Sequence, residues 1–236
     1  VVQPNVITGE LQRAVERLDL FYPPDPASLE TSALGGNVAE CAGGPRAFKY
    51  GTTKRYVLAL EAVLPTGEII ETGSKAVKNV VGYDLTQLLV GSEGTLAIIT
   101  RIVLRLMAKP PAHATLLGLF DSIDTGVAAV SALIPRRAVP AAIELIDADS
   151  LQAVHEHLGQ QVVPREANTA LIIEVDGSPS AVEDEITRVA DGCAEAGAVG
   201  IVRAATSSER EQIWSLRRQL SLALRATGLL KINHDV

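Results

Sequence analysis

Apolar positions along the chain follow two rhythms that meet near Lys109-Pro110-Pro111. Before that point they fall into short β-rich runs broken by glycine. Tyr56 to Leu64, Glu68 to Glu71 and Leu96 to Leu106 read as strands, and the turn Pro65-Thr66-Gly67 joins the first two as a hairpin. Leu11 to Leu20 predicts an amphipathic helix with Leu11, Val15 and Leu18 on one face. Tyr83 to Leu89 predicts a second, shorter helix, reached through the turn at Gly82.

After Pro111 strands and helices alternate. Strands are predicted at Thr115 to Phe120, Ala141 to Ile146, Ala170 to Val175 and Val199 to Arg203. Helices are predicted at Ser122 to Leu133, with Ser122 as cap, then Ser150 to Leu158, Ser178 to Ala196, and Ser207 to Ala226. Strands interleaved with helices packing on one side predict an α+β layer of ferredoxin-like type. The chain therefore divides into residues 1–110 and 111–236, with no repeat, low-complexity tract or long linker.

Composition narrows the function classes. Aromatics make up 3% of the chain, so Val, Ile, Leu and Ala must build the core. A net charge of −7 disfavours nucleic acid or an anionic membrane as partner, while leaving room for a small anion at a local positive site. Cys41 and Cys193 lie far apart without metal-ligand spacing and read as reduced thiols of a cytoplasmic protein. No apolar run approaches the roughly 20 residues that span a bilayer. The start, Val1-Val2-Gln3-Pro4, has neither Met nor a signal-peptide pattern, and the end, Lys231 to Val236, has no helix cap. Both ends suggest a piece of a longer protein.

The densest chemical signal is glycine. Pro23-Pro24-Asp25-Pro26 precedes Ser32-Ala33-Leu34-Gly35-Gly36-Asn37-Val38-Ala39, then Gly43-Gly44 and Tyr50-Gly51. Side-chain-poor turns let a backbone approach a ligand closely, and their amides can cradle anionic oxygens such as a pyrophosphate. The alternative is that the glycines only serve tight turns. A G-x-G-x-x-G pattern is absent, which leaves a nicotinamide dinucleotide site without support. Gly91-Ser92-Glu93-Gly94-Thr95-Leu96-Ala97-Ile98-Ile99 forms a second glycine turn running into an apolar strand, preceded by Lys78 to Leu85.

Taken in order, these motifs resemble the FAD-linked oxidases close to the D subunit of glycolate oxidase and the D-lactate dehydrogenases. The resemblance rests on Asp25-Pro26, Leu34 to Glu40, Ala42-Gly43-Gly44, Lys49-Tyr50-Gly51, Leu64 to Glu68, Gly82 to Leu85 and Gly91 to Leu96. It continues more loosely through Glu144, Glu174 to Gly177 and Trp214 to Arg217. It implies an α+β fold. Residues 1–110 would be the second half of a flavin-binding domain of the vanillyl-alcohol-oxidase type. Residues 111–236 would be the first part of a ferredoxin-like α+β cap domain that carries the substrate side. By the same resemblance Asp25, Ser28, Ser32, Gly35, Gly36, Asn37, Gly43, Gly44, Tyr50 and Gly51 would line FAD, bound non-covalently. Glu93, Gly94, Ile98 and Ile99 would form the remaining wall.

The implied reaction is oxidation of a D-2-hydroxy acid, of glycolate or D-lactate type, to the 2-oxo acid by hydride transfer to the flavin. A quinone, an electron-transfer flavoprotein or an iron–sulfur partner subunit would reoxidise it, with the assembly cytoplasmic or peripheral at the inner membrane through partner subunits. Arg217, with Ser221 four residues on and Lys231 nearby, is the expected substrate carboxylate site, because a guanidinium holds a carboxylate through two parallel hydrogen bonds. The plainer alternative for Arg217 is a solvated helix face shared with Arg210, Arg218 and Arg225.

Departures from the family pattern stand at Asn5 and Ala97, where Gly is usual, and the family's other phosphate loop would precede Val1. Its His-rich segment, which would supply a divalent metal site and the base, would follow Val236. None of His113, His155, His157 and His234 replaces it, so no metal ligand is assigned here and the catalytic base is open. The chain alone is expected to bind FAD weakly or not at all. The rival reading is a flavin-fold partner subunit, with an assembly or electron-relay role and no substrate chemistry.

Overall fold

The computed structural model describes residues 1–76, 78–159, 163–164 and 166–228. The chain falls into two compact units, Val1–Pro110 and Pro111–Val236.

In the first unit, helix α1 (Thr8–Glu16) leads to β1 (Leu20–Phe21), α2 (Leu34–Glu40) and α3 (Ala47–Tyr50). Then come β2 (Val57–Val63), β3 (Ile69–Gly73), α4 (Leu85–Leu89), β4 (Ile98–Leu104) and β5 (Met107–Ala108). The helix predicted to reach Leu20 stops at Glu16. Asp19 takes a left-handed φ of 54°, Leu18 is 70% exposed, and the chain turns to pair Leu20 with Ala108. Leu11 and Val15 are buried as expected, together with Gln12, whose Nε2 donates to the carbonyls of Tyr22 (3.0 Å) and Pro24 (2.8 Å). That polar residue is tolerated inside because both its donors are used.

β2 is the centre of an antiparallel sheet ordered β3-β2-β4, with the β2–β3 hairpin closing through the predicted turn. A register shift between Glu61 and Ala62 marks an irregularity in the β2–β4 ladder. Tyr22 and Tyr56 pack edge to face at 5.9 Å beneath this region, both fully buried. With so few aromatics, these rings supply a large share of the unit's contact area.

The second unit runs β6 (Ala112–Phe120), α5 (Ile123–Leu133), β7 (Ala142–Ile146), α6 (Ala148–Leu158), β8 (Thr169–Gly177), α7 (Pro179–Glu195), β9 (Gly200–Arg203) and α8 (Ser207–Ala226). Its sheet is fully antiparallel in the order β7-β8-β6-β9. This is the ferredoxin-like arrangement, with α5 and α7 as its connecting helices. The expectation of helices on one side only is corrected, because α6 and α8 cover the opposite face. Leu171, Ile173 and Val175 of β8 pack with α5 and α7, whereas Ala170 and Ile172 pack with α6 and α8. The cause is legible in the strand itself: Ala170 to Val175 is apolar at nearly every position, so both of its faces need cover.

Local signals set the helix ends. Ser122 Oγ accepts from the Thr125 amide at 3.3 Å, and Asp147 Oδ1 accepts from the Ser150 amide at 2.9 Å, which starts α6 two residues before the predicted Ser150. At α8 the cap is Thr206: its Oγ1 accepts from the Glu209 amide and Glu209 Oε2 accepts from the Thr206 amide, both at 3.2 Å.

Candidate functional site

The first predicted glycine pair is a helix start and not a turn. Leu34 and Val38, four residues apart and fully buried, anchor α2, and Gly35 and Gly36 form its first turn. Gly35 serves packing: its amide bonds the Pro4 carbonyl at 2.8 Å, and an added Cβ would lie 2.6 Å from Pro4 Cβ. Gly36 is different, since a Cβ there would meet nothing within 4 Å.

Several other predicted flavin contacts are engaged within the unit. Asn37 is buried and its Nδ2 donates to Thr8 Oγ1 at 2.6 Å, which in turn donates to the Ser32 carbonyl at 3.0 Å. The Ser28 carbonyl receives the amides of Thr31 and Ser32, and its side chain lies on an exposed turn. Asp25 Oδ1 accepts from the Arg46 amide at 3.1 Å, with the Arg46 guanidinium 3.5 Å from Oδ2. Gly44 has a φ of +127° and leaves no room for a Cβ, which would sit 2.3 Å from the Asp25 carbonyl oxygen. Tyr50 is buried against Phe21 at 5.6 Å, and its carbonyl accepts from Tyr56 Oη at 2.8 Å. Gly51, at φ +77°, makes room for the Arg55 side chain, while Gly43 lies half-buried between Ala47 and Thr52. Most of these residues therefore shape the loop from 23 to 51.

The second glycine segment meets the first through backbone hydrogen bonds. The Gly91 amide donates to the Val38 carbonyl at 2.9 Å, and the Glu93 amide to the Ala39 carbonyl at 3.0 Å. The last carbonyls of a helix lack their usual donors; the Glu93 amide satisfies Ala39, and the Gly91 amide joins a longer bond of 3.3 Å from the Cys41 amide at Val38. Glu93 and Gly94 take consecutive left-handed φ values of 53° and 72°, and space is open where a Gly94 Cβ would stand. Both are exposed, as is Ile98 at the head of β4, while Ile99 is half-buried. Ala97, where the family resemblance has Gly, is buried. The residues that present side-chain-poor or apolar surface are thus Gly36, Gly94 and Ile98, with Glu93 exposed beside them. Open glycine surface joined to a tight turn fits a flat cofactor that needs close approach and few charges.

Two further features were not anticipated. Among the described residues Tyr22 Oη is buried without a partner at hydrogen-bond geometry, and burial pushes its phenol up to about 12. Thr53, the nearby hydroxyl that partly opposes this shift, gives its own proton to the Ala42 carbonyl at 2.7 Å. A cleft of about 500 Å³ lies between Lys54, Arg55, Gly73, Asn79, Tyr83 and Gln87. It contains none of the residues predicted to line the flavin.

In the second unit, α8 carries a stripe at Arg210, Trp214, Arg217 and Ser221 that faces two strand carboxylates. Glu174 Oε2, buried, accepts from Thr115 Oγ1 (2.9 Å), Arg210 Nε (2.8 Å) and Trp214 Nε1 (2.9 Å), and also faces an Arg210 terminal nitrogen at 2.7 Å. Glu144 Oε2 on β7 is ion-paired with Arg217 Nε. Ser221 is half-buried one helical turn further on. The predicted Lys231, like His234, lies outside the described residues. His157 is exposed, and His155, read from sequence as a surface position, is half-buried. A lone Glu inside the apolar strands Ala142–Ile146 and Thr169–Gly177 is the signal for these pairs, since a carboxylate in a packed strand needs a cation.

Residues 109–236 match the family model for FAD linked oxidases, C-terminal domain. The chain belongs to the FAD-linked oxidases. Residues 1–73 match a second model, an FAD binding domain. Among curated relatives of this FAD-linked oxidase chain is glycolate oxidase subunit GlcD of Bacillus subtilis (strain 168), 43% identical over 98% of the chain and 48% of the relative. D-lactate dehydrogenase of Anaerostipes hadrus is 35% identical over 100% of the chain and 50% of the relative. The chain thus spans about half the length of these relatives. A structure of alkyldihydroxyacetonephosphate synthase superposes with a TM-score of 0.74 at 26% identity, covering 95% of this chain and 43% of that one. The fold is of the vanillyl-alcohol-oxidase type, with a ferredoxin-like second unit. No helix among the described residues is long and apolar enough to cross a membrane.

Proposed function

We propose that these residues belong to an FAD-dependent dehydrogenase or oxidase of a D-2-hydroxy acid, of glycolate or D-lactate type. The observation that carries the reading is the backbone seam that brings the Gly91–Gly94 turn against α2, leaving Gly36 and Gly94 with open space beside them. FAD, when bound, would supply the hydride acceptor. Gly36, Glu93, Gly94 and Ile98 would hold it by close packing and a few backbone contacts, with Asp25, Asn37 and Tyr50 fixing the loop around them. Arg217 would hold the substrate carboxylate, with Ser221 beside it and Lys231 as a second cation. An electron acceptor, a partner subunit or a quinone, would restore the flavin.

The test is expression of the uninterrupted reading frame containing these residues, followed by dye reduction with a panel of D- and L-2-hydroxy acids. Reduction by a D-acid is expected, and Arg217→Ala should raise KM sharply while FAD stays bound. The Arg217–Glu144 pair is what a second reading, a partner subunit without substrate chemistry, would also display as a plain helix anchor. A flavin-loaded protein that fails to reduce dye with every 2-hydroxy acid of the panel would favour that second reading.

A further inference from the structure

Two arginines on one face of α8, seven residues apart, are bonded to the sheet in different ways. Arg210 sets both its Nε (2.8 Å) and a terminal nitrogen (2.7 Å) on the same oxygen of Glu174, so one edge of its guanidinium is consumed by a buried carboxylate. Arg217 meets Glu144 through Nε. Its two terminal nitrogens carry no hydrogen bond among the described residues. A guanidinium offers a carboxylate two faces of donors, the Nε edge and the terminal pair. Engagement at Nε restricts how the group can turn and leaves the outer N–H groups of the terminal pair, on the adjacent edge, for another acceptor.

We infer that Glu144 is a positioning residue for Arg217: it holds the guanidinium by Nε so that the terminal nitrogens are presented, already oriented, to a carboxylate ligand. This deepens the functional reading above and rests on it. The helix does not need Glu144 for its attachment. Arg210 and Trp214 already meet Glu174, and Ile213, Leu216 and Ala223 are buried in the core beneath α8. The pair is partly buried, its side chains 30% and 18% exposed, so it also adds to stability, and melting temperature is read beside KM for that reason. Its larger effect is on freedom: an Arg side chain must give up several rotamers to clamp an anion, and a partner at Nε removes part of that cost in advance.

The experiment uses the protein from the uninterrupted reading frame and measures KM, kcat, flavin content and melting temperature for four variants. Glu144→Ala is expected to raise KM for the 2-hydroxy acid about tenfold with flavin content unchanged. Glu144→Gln, whose Oε1 still accepts the Nε–H, should recover most of that loss. Arg217→Ala combined with Glu144→Ala should be no worse than Arg217→Ala alone, because both act through one guanidinium. Should Glu144→Ala fail to fold, Glu144→Met, similar in size and without a comparable acceptor, takes its place. A lowered melting temperature with unchanged KM in Glu144→Ala would overturn the proposal and leave a structural anchor. So would additive effects in the double variant. If Arg217→Ala itself leaves KM unchanged, the functional reading of Arg217 is what fails.

Discussion

Gly35 and Gly36 are neighbours in one helical turn, yet the same substitution should act on them in opposite directions. Alanine in a helix is favoured over glycine by about 0.5–1 kcal/mol, through the backbone freedom glycine must surrender. At Gly36 the new Cβ meets no atom within 4 Å, so this gain stands alone and the first unit should become more stable. At Gly35 the Cβ would lie 2.6 Å from Pro4 Cβ and 3.1 Å from the Pro4 carbonyl, which is already hydrogen-bonded to the Gly35 amide. Overpacking of this kind costs about 1–3 kcal/mol, so the net change is a loss of roughly 1–2 kcal/mol. For a unit of this size the two variants should separate by several degrees, about 4–8 °C per kcal/mol. Thermal unfolding of both proteins without flavin reads this part. The second part is the flavin content of the protein from the uninterrupted reading frame. If the open side of Gly36 faces the cofactor, Gly36→Ala should lower flavin occupancy while raising the apoprotein melting point. A Gly36→Ala protein that is more stable and fully yellow would remove Gly36 from the flavin wall. One less stable than wild type would show that its surroundings are filled.

Other perturbations probe the cores. Replacing Glu174 by Ala strands Arg210 beside a packed sheet and takes the acceptor from Thr115 and Trp214; denaturant unfolding of residues 111–236 should lose about 3 kcal/mol, and a loss under about 1 kcal/mol would mean the pair is effectively solvated. Tyr22 makes stability fall at high pH. Its folded pKa of about 12 lies above the ordinary 10.0, so the folded state keeps a proton that the unfolded state releases between those values. Stability from this group is whole below pH 10 and is lost toward pH 12, at about 1.4 kcal/mol per pH unit. Tyr22→Phe should flatten that decline in the first unit, and an unchanged slope would show that the phenol is hydrated.

The pattern of apolar positions was enough to find the alternating strands and helices after Pro111, because strands such as Ala170–Val175 are bounded by clear caps and turns. It does not by itself show the sheet's second face, where a nearly continuous apolar run, interrupted at Glu174, marks a strand covered twice. Near the glycines the difficulty was of another kind. Leu34 and Val38 carry the helical spacing of α2, but two glycines beside them argue locally for a turn, and burial of the two apolar residues decides the contest. Whether a glycine is small for a ligand or for its own chain is not a local property: Gly35 is filled by Pro4, thirty-one positions back in the sequence, and Gly44 by Asp25. Arg217 was named through resemblance, while its partner Glu144 could have been found from chemistry, as a carboxylate stranded in an apolar strand.

The hydrogen bonds of the seam between α2 and the Gly91–Gly94 turn run between main-chain atoms. The main-chain amides donate whatever the side chain, but position 91 is held to glycine by its φ of +81° and by Cys41 Cβ, which a new Cβ would meet at 3.3 Å, and position 38 is held apolar by its burial. Such a joint is set by backbone conformation and loop length more than by side-chain chemistry. A one-residue change in the length of the 91–94 turn would therefore pull it out of register with α2 even with every neighbouring side chain kept.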